Sequence, residues 1–175
     1  MTDIILAFAA AASGGWLVRG GPAASTAGMG CWMVALGPAF GLAESSGYAV
    51  GAAAGVGRLA VVAGMPMVAL GWWMVGLDPE LIRRVRGVFF ASLLITAMID
   101  GAGRVAPFAV LASAIGMLGA ARCGGAPAAA GLAAAAALAV GQAVRAEQPA
   151  WAAISWAVAL GLVAFGLRRV DPASV

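Results

Sequence analysis

The sequence contains no histidine and no lysine. Without histidine it lacks the residue that most often shuttles protons near neutral pH and most often ligates metals. Without lysine it has no amine for Schiff-base chemistry, which excludes a retinal protein. Charge of either sign is scarce. Ten arginines and seven carboxylates make up 10% of the 175 residues, where a soluble domain carries about 25%. That is too little charge to cover a water-facing surface. The two cysteines, Cys31 and Cys123, stand far apart and outside any Cys-x-x-Cys. The topology derived below turns both toward the cytoplasm, where thiols stay reduced, so neither a disulfide nor a metal site is expected of them. The Gly-x-Gly-Arg step at Gly55–Arg58 lacks the strand-to-helix context and the glycine spacing of a phosphate loop. No catalytic, nucleotide or nucleic-acid signature stands out.

What fills the chain instead is apolar: 63% of residues are hydrophobic and the mean hydropathy is +1.01. Lipid is the natural solvent for such a composition. A spanning helix takes about 20 residues, so seven spans and their loops nearly exhaust the chain. One transmembrane domain over residues 1–175 is expected, with no soluble domain.

The apolar runs are Ile4 to Val18, Ser25 to Ala43, a third ending at Leu77, Gly87 to about Gly101, Val105 to Ala121, Ala128 to Val144, and Ala150 to Leu167. The start of the third falls somewhere between Gly47 and Gly57. Pro127 and Pro149 suit the first turn of a helix. The breaks are RGGP, ESSG, DPELIRRVRG, DGAG, RCGGAP and RAEQP. The first run resembles a signal-peptide core, but Asp3 stands where a positive n-region belongs, so it reads as a retained helix. The expectation is an all-α, polytopic helical bundle of about seven transmembrane helices, or six if the first is cleaved.

Seven alternating spans put Arg19, Arg83, Arg84, Arg86, Arg122, Arg168 and Arg169 on one side and Arg58, Arg104 and Arg145 on the other. The positive-inside rule makes the first side cytoplasmic, with the N-terminus outside and the C-terminus inside. Trp16, Trp32, Trp72 and Trp73 then fall toward inner ends and Trp151 at an outer end, as interfacial tryptophans should. GVGRLA at Gly55–Ala60 recurs as GAGRVA at Gly101–Ala106, a hint of duplicated hairpins. Parts of the third to fifth runs, with an Arg-led helix and a Gly-Arg step, resemble small bacterial membrane proteins. The resemblance names no family and implies no function.

Ionisable residues at depth are the main functional pointers in such a chain. Counted at 1.5 Å per residue, Arg58, Glu44 and Arg104 each lie about 27–28 Å from the inner end of their runs, at the outer boundary. Asp100 lies only about 20 Å from Gly87, or about 24 Å from Arg84, and so inside the outer third of the bilayer. Arg104 follows it by four residues, and Ser92 and Thr96 continue the same stripe upstream. Glu44, Arg58, Asp100 and Arg104, with Ser92 and Thr96, therefore form a candidate polar site for a cation, a proton or the head group of an apolar ligand. The plainer account has helix-end charges, snorkelling arginines, and hydroxyls bonded to their own helix. Pro38 and Pro66 are expected to kink the second and third helices.

Gly37–Gly41 and Gly47–Gly51–Gly55 have the spacing of close helix contacts. Met65, Met67, Met74, Met98 and Met117 read as core filler. The Asp78–Arg86 loop offers three arginines to anionic lipid heads, each worth about 1 kcal/mol.

Three functions remain open. The first is a non-enzymatic accessory or scaffold subunit of the inner (cytoplasmic) membrane. It would pack against a larger membrane complex or another copy, or hold an apolar ligand such as a quinone, carotenoid or lipid. The second is a small permease or channel for a proton, cation or small solute. The third, least supported, is a membrane enzyme that uses Glu44 and Asp100 as acid and base.

Overall fold

A computed structural model describes residues 2–48, 51–99 and 104–171, and among these there is no strand. The described residues form seven helical rods: α1 (Thr2–Leu17), α2 (Pro22–Ser45), α3 (Ala53–Met74), α4 (Pro79–Ile99), α5 (Ala106–Cys123), α6 (Gly125–Val144) and α7 (Pro149–Val170). Proline opens or nearly opens α2, α4, α5 and α7. At the first turn its missing N–H costs nothing and its fixed φ favours the helix. Glycines 47, 51, 76 and 124 take positive φ in the turns between rods, and Gly125 does so at the start of α6.

Five rods, α2, α3, α5, α6 and α7, are long and apolar enough to cross a membrane. The chain is thus an apolar helical bundle of the multi-pass kind. α1 is apolar but has only 16 residues. α4 has 21 residues, with Glu80, Arg83, Arg84 and Arg86 in its first two turns.

Six rods close a ring in the order α1, α2, α3, α5, α6, α7 and back to α1. α4 leans on the outside against α2 and α3. The only residue it buries is Ile82, which meets Ala23 and Met74. The GVGRLA/GAGRVA recurrence suggested matched hairpins, but α3 with α4 and α5 with α6 pack quite differently. Residues 101–103 of the second hexapeptide lie outside the described set.

Small residues let the ring close. A methyl group on Gly30 would come within 2.6 Å of the Gly64 carbonyl oxygen, and one on Gly71 within 2.8 Å of Ala27 Cβ. Gly37 faces Ala60 and Gly57 in the same manner, but Gly41, Gly47, Gly51 and Gly55 meet nothing within 4 Å. The expected Gly47–Gly51–Gly55 contact is therefore not a helix seam. Gly47 and Gly51 serve the turn before α3, where a left-handed backbone is needed.

Three further sequence expectations are corrected. First, Trp72, two residues from the end of α3, does not face outward; it is buried at 1% exposure inside the bundle. Its ring fits because Gly166 has no side chain to meet it, and a methyl there would lie 2.5 Å from Trp72 Cη2. Trp16, Trp32, Trp73 and Trp151 are exposed. Second, DPELIRRVRG is not a loop. Asp78 Oδ1 accepts the backbone N–H groups of Glu80 and Leu81 at 2.9 and 3.1 Å, so α4 begins at Pro79, eight residues before Gly87. Glu80 then pairs with Arg83 and Arg84 along the same face. Third, α3 ends at Met74 rather than Leu77.

Pro66 acts through the turn before it. It has no N–H for the carbonyl of Val62, and its ring crowds that carbonyl. The ladder widens to π geometry over Ala60–Gly64 before resuming as α-helix from Met65. Pro38 sits inside α2, which continues as one helix to Ser45.

The end of the bundle that holds the α1–α2 turn is tied shut by its last helix. Asp171, just past α7, accepts the N–H of Ala24 through Oδ2 at 2.7 Å, and its carbonyl accepts the N–H of Gly21 at 3.1 Å. A carboxylate at the start of α2 meets free N–H groups and the positive end of the helix dipole. The carboxylate occupies the space beside Gly21, so a Cβ there would displace Asp171 from this position.

Candidate functional site

At the opposite end the ring does not close. A cavity of about 540 Å³ opens there, lined by five of the ring helices and by Arg145, the residue just past α6. The first turns of α1, α3, α5 and α7 contribute Asp3, Ala54, Pro107 and Pro149; the second turn of α3 contributes Arg58; and α2 contributes Pro38. Further down, the walls are apolar, with Leu6, Val34, Val61, Ala153 and Trp156. Its size is that of a typical small-molecule site.

The charges sit at the rim. Arg145 lies over the ring of Trp156, 5.2 Å from its centroid. A guanidinium held on an aromatic face keeps its in-plane N–H donors for other partners. Trp156 is buried and packs its indole against Gly141, where a methyl would come within 2.5 Å of Cδ1. Its Nε1 has no protein partner, nor does Oε1 of the neighbouring Gln142. Among the described residues the lining carries two arginines and one carboxylate. Four helix N-termini add positive dipole ends, against the C-terminal ends of α2 and α6.

The six sequence-derived candidates are not gathered into this cavity. Arg58 lines it, with Pro38 nearby. Glu44 does not; its Oε1 accepts the Gly51 N–H at 2.7 Å and holds the turn between α2 and α3. Ser92 and Thr96 are on an exposed face of α4, and each hydroxyl donates to its own helix, Ser92 to the Val88 carbonyl and Thr96 to the Ser92 carbonyl. Arg104 is exposed just before α5 and, like Arg58, is engaged rather than free. Asp100 lies outside the described residues. Pro66 lies below the cavity, beyond the π segment whose first residues, Ala60 and Val61, line it.

Sequence reasoning missed Asp3, Arg145 and Trp156. Asp3 belongs to α1, Arg145 follows α6 and Trp156 lies within α7, so no spacing along the chain links them. The one available signal was that alternating spans bring residues 3, 58, 145 and 149 to the same end.

The other end is narrower. A pocket of about 270 Å³ is lined by Trp72, Val75, Arg122, Cys123 and Val170. Beside it Trp73 Nε1 donates to the Gly116 carbonyl at 2.7 Å, and Arg122 lies 5.5 Å from the Trp73 ring centroid. Cys31 is buried, Cys123 is half-buried, and both are free thiols. Among the described residues no cluster of three metal-ligating side chains occurs. Compared with known proteins, the chain matches no family model, no curated protein and no solved structure.

Proposed function

We propose that this chain is a non-enzymatic, multi-pass membrane protein that holds an apolar ligand in the cavity at one end of its six-helix ring. The observation that carries the reading is the cavity itself: apolar walls drawn from five helices, with Asp3, Arg58 and Arg145 as the charged groups among the described lining residues.

The reading extends to seven crossings with the cavity end outside. α4 has 21 residues, about 31 Å of helix, and its early arginines would snorkel to the head groups. α1 is about 24 Å long and would need its flanking residues to complete the span. Seven arginines belong to the Asp171 end and three to the cavity end, which favours the former as cytoplasmic. The inner membrane of a bacterial cell, as an accessory subunit, is the setting this reading favours.

The test is gentle purification followed by mass spectrometry of what travels with the chain. An apolar or amphiphilic molecule in stoichiometric amount is expected, and it should be lost in Gly41→Phe or Gly57→Phe. Both glycines line the cavity and have open space for a side chain. Identical lipid carried by wild type and both variants would sink the reading.

A second reading, a small permease, draws on the pocket at the opposite end. The two pockets face away from each other, and along α3 about 16 Å separates Val61 from Trp72. The residues between include the fully buried Met65, Met67 and Val68, which would have to part for a solute to pass. Solute flux into liposomes bearing the protein, absent from empty ones, would favour this reading over simple binding.

A further inference from the structure

The cavity's rim and walls differ in kind, and the difference specifies a ligand more narrowly than apolarity does. Resting on the reading of the cavity as a binding site, we infer that its occupant is an amphiphile with one anionic head, a carboxylate or a phosphate ester, on an apolar tail.

Three observations converge. Arg145 stands at the rim just past α6, stacked on Trp156, so its guanidinium is positioned by the protein before any ligand arrives. Planar guanidinium groups match carboxylate and phosphate oxygens two at a time. Arg58 lines the same cavity from α3, and among the described residues the lining holds two cationic side chains against one anionic. The first turns of α1, α3, α5 and α7 all border it. Each presents backbone N–H groups and a positive dipole end, which favour an anion.

Below the rim the lining turns apolar, with Val34, Val61 and Ala153 around Trp156. A free inorganic anion would find nothing to hold it there. A cationic amphiphile would meet like charge at the rim. The head therefore belongs beside Arg145, with the tail among the walls.

The experiment places the full chain in nanodiscs of zwitterionic phosphatidylcholine and titrates it with dodecyl phosphate, dodecyltrimethylammonium or inorganic phosphate. Tryptophan emission is the readout, and empty nanodiscs correct for partition into lipid. Saturable binding of dodecyl phosphate is expected, at least about tenfold tighter than the ammonium probe, because a single charge-assisted contact is worth that much. Arg145→Gln should weaken it by roughly tenfold, and Arg145→Lys by less. Inorganic phosphate alone should not saturate.

Equal binding of the ammonium and phosphate probes, or no effect of Arg145→Gln, would overturn the anionic head while leaving the cavity as the site, provided Gly57→Phe still abolishes binding. Inorganic phosphate binding as tightly as dodecyl phosphate would overturn the tail. Binding of no probe, or binding that survives Gly57→Phe unchanged, would overturn the inference together with the reading beneath it.

Discussion

At one end of the bundle the six helices part around a cavity; at the other they close around Trp72. Both ends are built from the same material, alanine and glycine with a few large side chains. The difference lies in what faces each glycine. Gly166 receives the Trp72 ring, Gly131 receives Ala120, and Gly21 receives the Asp171 carboxylate. Gly41 and Gly57, at the cavity end, face open space. A small residue thus tightens a bundle only where a neighbour fills the room it leaves, and elsewhere it makes a cavity.

The comparison can be broken most sharply at its centre. Trp72→Ala should cost about 3–5 kcal/mol, as for other buried aromatics cut to alanine. Unfolding of the detergent-solubilised protein measures it, and a cost below about 1 kcal/mol would mean the closed end is not closed. Next comes a matched pair. Gly166→Leu should destabilise by about 1–3 kcal/mol through overpacking against Trp72. Gly57→Leu should stay within about 0.5 kcal/mol of neutral or stabilise slightly, since it gains helix propensity and meets no neighbour. Similar values for the two would erase the distinction between the ends.

Asp171→Ala removes the cap on α2 and should cost about 1 kcal/mol. Faster hydrogen exchange at Ala24 would locate the loss. Smallest of all, Ser92→Ala and Thr96→Ala should each change stability by less than about 0.5 kcal/mol, because their hydroxyls bond only their own exposed helix.

The helical rods were legible in the sequence because apolar runs and their breaks are local signals. Pro127 and Pro149 mark helix starts without reference to the rest of the fold. The start of α4 is harder to read because four charges outweigh a capping signal, Asp78 followed by Pro79, that is present and local. The ring order, the place of Trp72 inside it and the position of α4 outside it depend on contacts between distant helices. A polar stripe along one helix was visible at Ser92 and Thr96, yet those residues face away from the ring. The cavity residues Asp3, Arg145 and Trp156 share no run at all, so only the assembled fold brings them together.

The claim that the cavity opens to the outside can be tested with one cysteine. In a chain carrying Cys31→Ala and Cys123→Ala, Gly57→Cys places a thiol on the cavity wall. A membrane-impermeant thiol reagent added to intact cells should modify it, and dodecyl phosphate should slow the reaction. Modification only after the cells are broken open would contradict the account.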